Sequence, residues 1–176
     1  MSGTAKTGLD ELTAASRSVA IVIALNKPVY PLYVWWLAED AFKASLVTAA
    51  SLPLYAAVIY LYRKSPFAGR IGMVLAGTLD TLAITKFFGE ASGAWLFLAP
   101  CLLLGFLSFY AHEKWTARAL IGAVFLAFAV FFGRYGAPVF PLSTSDSDTL
   151  YTLNIFGAFS LLAFIGLRFP MREAKA

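Results

Sequence analysis

The chain has 176 residues, of which 60% are hydrophobic and only 14% charged, with a net charge of +4 and a mean hydropathy of +0.73. A soluble domain carries about 25% charged residues, so this composition excludes an ordinary water-soluble globule, and its long apolar runs leave no room for a separate soluble catalytic domain. Cys101 is the only cysteine, which excludes an intramolecular disulfide; with a single histidine beside it there is no donor set for zinc, an iron–sulfur cluster or bis-histidine haem, and no cofactor is expected.

Residues 1–17 are polar and predict a cytoplasmic tail. Within it Leu9, Leu12 and Ala15 offer either a short amphipathic helix at the membrane surface or a frayed end. The tail is not a secretory signal. Asp10 and Glu11 sit in its polar lead, the apolar run Val19–Leu25 is broken by Asn26, Lys27 and Pro28, and no small-x-small cleavage site follows. The first apolar segment is therefore read as retained.

Apolar runs at 18–38, 43–63, 69–89, 94–111, 116–134 and 150–169 predict an all-α fold, a bundle of six transmembrane helices forming one domain over 18–169. Each run suits a hydrocarbon core of roughly 30 Å at about 1.5 Å rise per residue. None has the alternation of a barrel strand, and a helix satisfies its own backbone in lipid. Six spans put the N-terminal tail and residues 170–176 on one side. Ten Lys and Arg residues fall in the segments on that side (Lys6, Arg17, Arg63, Lys64, Arg70, Lys114, Arg118, Arg168, Arg172, Lys175), against three on the other (Lys43, Lys86, Arg134). The positive-inside rule then gives both termini in the cytoplasm. The basic face suits anionic membrane lipid as a partner rather than nucleic acid.

Trp35, Trp36 and Trp95 fall near the predicted outer boundary and Trp115 near the inner one, as an aromatic belt requires. Ala119, Ala123 and Ala127 in the fifth span, and Gly72 and Ala76 in the third, recur every four residues. Such spacing predicts close helix packing inside the bundle, with a homodimer face as the alternative. The connection Tyr135–Thr149 is the one long link. Its Asp146 and Asp148 are expected to cap the sixth span, since two carboxylates do not make a calcium site. His112, Glu113 and Lys114 read as a solvated helix end.

The chemistry concentrates at mid-depth. Counted from the start of its span, Lys27 lies about 14 Å deep and Asp80 about 17 Å, both near the bilayer centre. A charge there costs at least about 2.5–3.5 kcal/mol, which a Lys27–Asp80 pair would largely offset. Pro28 and Pro31 remove two backbone donors and predict a broken first helix with freed carbonyls near Ala24–Lys27, lining a cavity. Asn26, Tyr30 and Tyr33 share one helical face. A polar pocket is therefore expected from Asn26, Lys27, Tyr30, Asp80, Thr81 and Asn154. Three roles stand open for it: a structural ion pair that fixes register, a ligand site, or a transport pathway. No P-loop, nucleophile elbow or His-Glu-x-x-His motif occurs, and no carboxylates are paired at catalytic spacing within a span, so no enzyme is expected.

The strings NKPVYPLY (Asn26 to Tyr33), GAWLFLAPC (Gly93 to Cys101) and LNI from Leu153 give the pattern a likeness. Over residues 18–170 the chain resembles the six-helix membrane domains that precede histidine kinases and class III adenylate cyclases in bacteria. The resemblance implies an inner-membrane receptor or anchor. It also implies a separate cytoplasmic or membrane signalling partner, because the chain stops near Phe169 where an output domain would begin. The expected function is a sensory or regulatory module for a small or lipophilic ligand. A small transporter or channel component and a structural assembly factor are the alternatives.

Overall fold

In the computed structural model residues 10–170 are described, and they form six helices with no strand among them. These are α1 (Glu11–Leu37), α2 (Phe42–Lys64), α3 (Pro66–Phe88), α4 (Ala94–Leu107), α5 (Ala111–Phe131) and α6 (Thr144–Arg168). Five are long and apolar enough to cross a membrane by length and composition, and α4 is shorter. Expectations that fall on residues 1–9 and 171–176, Leu9 among them, lie outside the described residues.

Helix α1 begins earlier than the polar composition of its first turns suggests. Asp10 caps it, accepting from the Thr13 amide at 2.9 Å and the Thr13 hydroxyl at 2.7 Å. Leu12, Thr13, Ala15 and Ser16 are buried against the bundle. Residues 11–17 are thus neither a frayed tail nor a separate surface helix. Nor do Pro28 and Pro31 break α1, which is helical through Leu37. The two prolines leave the carbonyls of Ala24 and Lys27 without their usual donors, while burial of Pro31 and Val34 carries the helix onward.

The interruption falls in α2 instead. Between the α-helical turns Phe42–Ser45 and Leu52–Lys64, residues Leu46–Ser51 wind as a 3₁₀-helix. Ser45, Thr48 and Ser51 recur every third residue, and each hydroxyl donates to the carbonyl three residues back (Phe42, Ser45 and Thr48) at 2.6 to 3.0 Å. Such bonds favour the tighter turn, and Pro53 removes the donor that would bond Ala49 in an α-helix.

Helix α3 is the centre of the bundle and packs on α1, α2, α4 and α5. Ser65 caps it and Pro66 opens it. Gly72 lies against Val58 and Leu61 of α2, and Ala76 is buried, so this small-residue face packs internally. Gly93 precedes α4 with φ of +72°, and the Tyr151 ring fills the place its side chain would take. Helix α5 lies at the periphery, against α4 and α3. Ala119 and Ala123 are exposed there, contrary to the expected internal packing, and Leu120 and Val124 make the buried contact in their place. The α5–α6 connection is shorter than expected because Ser143 caps α6, accepting from the Asp146 amide at 3.0 Å. It is tied to the end of α3 by Lys86, whose Nζ donates to the carbonyls of Tyr135 and Ala137 at 2.8 Å each. Trp95 is half-buried on Phe128 and Phe132, whereas Trp35, Trp36 and Trp115 are exposed.

The helices alternate in direction, so α1, α3 and α5 start at one end of the bundle. Helix α6 closes the ring by packing on α4 and α1. A Cβ at Gly69 would lie 2.6 Å from Cγ of the buried Tyr62 ring, so Gly69→Ala should cost about 1–3 kcal/mol of stability. Gly122 has nothing within 4 Å, and Gly122→Ala should gain up to about 1 kcal/mol. Unfolding of both variants in mixed SDS micelles checks this contrast; equal midpoints would contradict the packing.

Candidate functional site

Five of the six helices surround a cavity of about 480 Å³. Asn26, Lys27, Tyr30, Asp80, Thr81 and Asn154 all line it, brought together from α1, α3 and α6. Tyr33, Pro100 and Cys101 line it as well. The remaining wall is largely aliphatic and aromatic.

Its polar side is built on an ion pair. Lys27 Nζ lies 2.5 Å from Asp80 Oδ2, with both side chains nearly buried. Tyr55 of α2 donates its hydroxyl to the same oxygen at 3.0 Å, and the Lys27 ammonium lies 5.7 Å from the Tyr55 ring centroid. Asp80 Oδ2 therefore carries both donors, while Oδ1 is buried with no partner among the described residues. On the other side of the cavity, Tyr30 donates to Asn154 Oδ1 at 3.3 Å, and Asn154 Nδ2 donates to the Ser92 carbonyl at 2.9 Å. This second chain joins α1, α6 and the turn before α4. Among the described residues no group of three or more His, Cys, Asp or Glu side chains could hold a metal ion.

A further polar cluster lies where α1, α3 and α5 start. Arg70 is 3% exposed and donates to Thr13 Oγ1 at 2.9 Å and to Glu113 Oε1 at 2.5 Å. Asp10 Oδ2 is 3.6 Å away, and the guanidinium carbon lies 5.2 Å from the Tyr110 ring centroid. Tyr110 donates to Asp10 at 2.7 Å, and Ser16 and Tyr62 share a hydrogen bond of 2.5 Å nearby. Glu113 is thus a half-buried bridge to Arg70 and not part of a solvated helix end, although His112 is exposed. Partial burial pushes the Asp10 carboxyl up, but the Thr13 hydroxyl and amide, the Tyr110 hydroxyl and Arg70 outweigh it and hold the carboxyl below its ordinary range.

No protein-family model, curated protein or solved structure matches the chain. In the sequence Arg70 counts only among the charges that set orientation, and Tyr55 does not stand out. Nothing in one sequence distinguishes Tyr55 from the other aromatics of its span. For Arg70 a signal existed: acids at Asp10 and Glu113, at predicted ends on the same side.

Lys27→Met leaves Asp80 buried beside Tyr55 alone and should destabilise the protein by about 3–5 kcal/mol at neutral pH; Lys27→Met combined with Asp80→Leu should recover at least half of this. SDS unfolding reads both, and a neutral single variant would contradict the pairing. For Asp10 the folded-state pKa is the lower one, so the folded protein binds fewer protons. Its stabilisation is present above about pH 4 and is lost as pH falls through the folded-state value. The melting temperature should therefore drop more between about pH 5 and pH 3 in the parent than in Asp10→Asn.

Proposed function

We propose that this chain is a multi-pass protein of a bacterial inner membrane, crossing it six times with both termini in the cytoplasm. It acts as a sensory or regulatory module without catalytic chemistry of its own. A small or lipophilic ligand, or a proton, acts at the polar site around Lys27 and Asp80 and shifts α1. The start of α1 and the end of α6, joined by the bond from Arg168 to Ser18, carry that shift to a cytoplasmic or membrane signalling partner.

One observation carries the reading. A mid-bundle ion pair borders a cavity of about 480 Å³, and that volume falls in the usual range of small-molecule sites. The excess of basic residues at one end of the bundle supports the orientation. A transporter is the second reading, favoured by the interrupted α2, whose 3₁₀ segment brings Thr48 to the cavity.

Native mass spectrometry of the protein released gently from its own membrane tests the proposal. A co-purifying signalling polypeptide, or a bound small molecule lost in Lys27→Ala, is the expected result. Neither appearing, together with solute flux through proteoliposomes of the pure protein, would replace the sensory reading with the transporter.

A further inference from the structure

Two hydrogen bonds fix the register of α1 against the antiparallel α6. Arg168 Nε donates to Ser18 Oγ at 3.2 Å near one end, and Tyr30 donates to Asn154 Oδ1 at 3.3 Å near the other. This register puts Asn26 level with Ser160. Between the two ties the cavity opens sideways: Val22, 40% exposed, and Phe156, 69% exposed, both line it. Asn26 and Ser160 line it too and are exposed, and neither has a hydrogen-bond partner among the described residues. An amide and a hydroxyl thus face each other's helix at mid-length, in an opening otherwise walled by apolar side chains. In hydrocarbon no water would satisfy them.

We infer that the opening between α1 and α6 is a lateral portal from the lipid, and that it takes a neutral, single-tailed amphiphile with a hydroxyl or amide head. The inference rests on the ligand-site reading above and adds the chemistry of the ligand and its route. The head must both donate and accept, because Asn26 offers both functions and the Ser160 hydroxyl either. It is neutral because Lys27 and Asp80 already pair with each other, so a charged head would lie unpaired at a depth where charge is costly. That also disfavours a phospholipid, whose phosphate belongs at the interface. The tail lies along Ile23, Leu161 and Phe164, which line the same cavity.

The test is photolabelling of the full chain in nanodiscs with a long-chain alcohol bearing a diazirine in its tail, followed by mapping of the labelled peptides. Labelling should map to α1 and α6 at the cavity and be competed by dodecanol but not by dodecane. Asn26→Leu and Ser160→Ala, both at exposed positions, should each weaken that labelling roughly three- to tenfold. Leu161→Trp, which fills the cavity, should abolish it. Labelling lost in Leu161→Trp but unchanged in Asn26→Leu and Ser160→Ala would overturn the inference and leave the ligand site standing. Labelling indifferent to all three variants and to dodecanol would overturn both.

Discussion

The Lys27–Asp80 pair is the constraint on which the rest of the bundle depends. A charge at the middle of an apolar bundle is tolerated only against a partner. Satisfying that demand fixes the rotation of α1 and its height against α3, within the reach of one lysine side chain. Tyr55 then joins the same carboxylate oxygen, so α2 is held at the same level. Three helices are positioned by one atom, Asp80 Oδ2. With Lys27 turned toward α3, the next residue back along the chain, Asn26, is turned about 100° away, toward α6 and the exterior.

The Arg70 cluster repeats this logic at the end of the bundle and on the same helix pair. Arg70 belongs to α3, and Asp10 and Thr13 belong to the start of α1. Helix α1 is therefore tied to α3 by ionic contacts at two heights. Its ties to α6 are weaker in kind: a long hydrogen bond at Tyr30 and an exposed one at Ser18. Any displacement of α1 that strains the mid-bundle pair must also load the Arg70 cluster, because a continuous helix joins them. Helices α1 and α3 thus both make direct contacts at the cavity and at the end of the bundle.

Much of this was legible in the sequence because charge is scarce in apolar runs. Lys27 and Asp80 stand out against their neighbours, their depths can be counted, and scarcity leaves few other partners. Asn154, Tyr30 and Thr81 were reached the same way, as polar residues at matching depth. What could not be read depends on helix rotation. Tyr55 looks like any interfacial aromatic until its hydroxyl is placed. Ala119 and Ala123 carry the spacing of a packed face but lie on the outside of α5, since spacing defines a stripe and not the direction in which it points. The prolines misled for a related reason. Pro28 and Pro31 lack donors yet leave α1 continuous, while the three-residue rhythm of Ser45, Thr48 and Ser51 interrupts α2.

On the proposed reading the ion pair does more than fix register. Two buried charges are a poor way to stabilise a bundle, because apolar residues of the same volume do so as well or better. A pair kept for register alone would be expected to sit in close packing with every lone pair satisfied. Here it borders a cavity of about 480 Å³, and Asp80 Oδ1 has no partner among the described residues. Asn26 and Ser160 are left unpaired at the rim of the same space. At the Arg70 cluster one buried atom, Arg70 Nε, also lacks a partner among the described residues, but the groups left unpaired around the Lys27–Asp80 pair border a cavity. On the ligand-site reading proposed above, a bound molecule would fill that space and satisfy those groups.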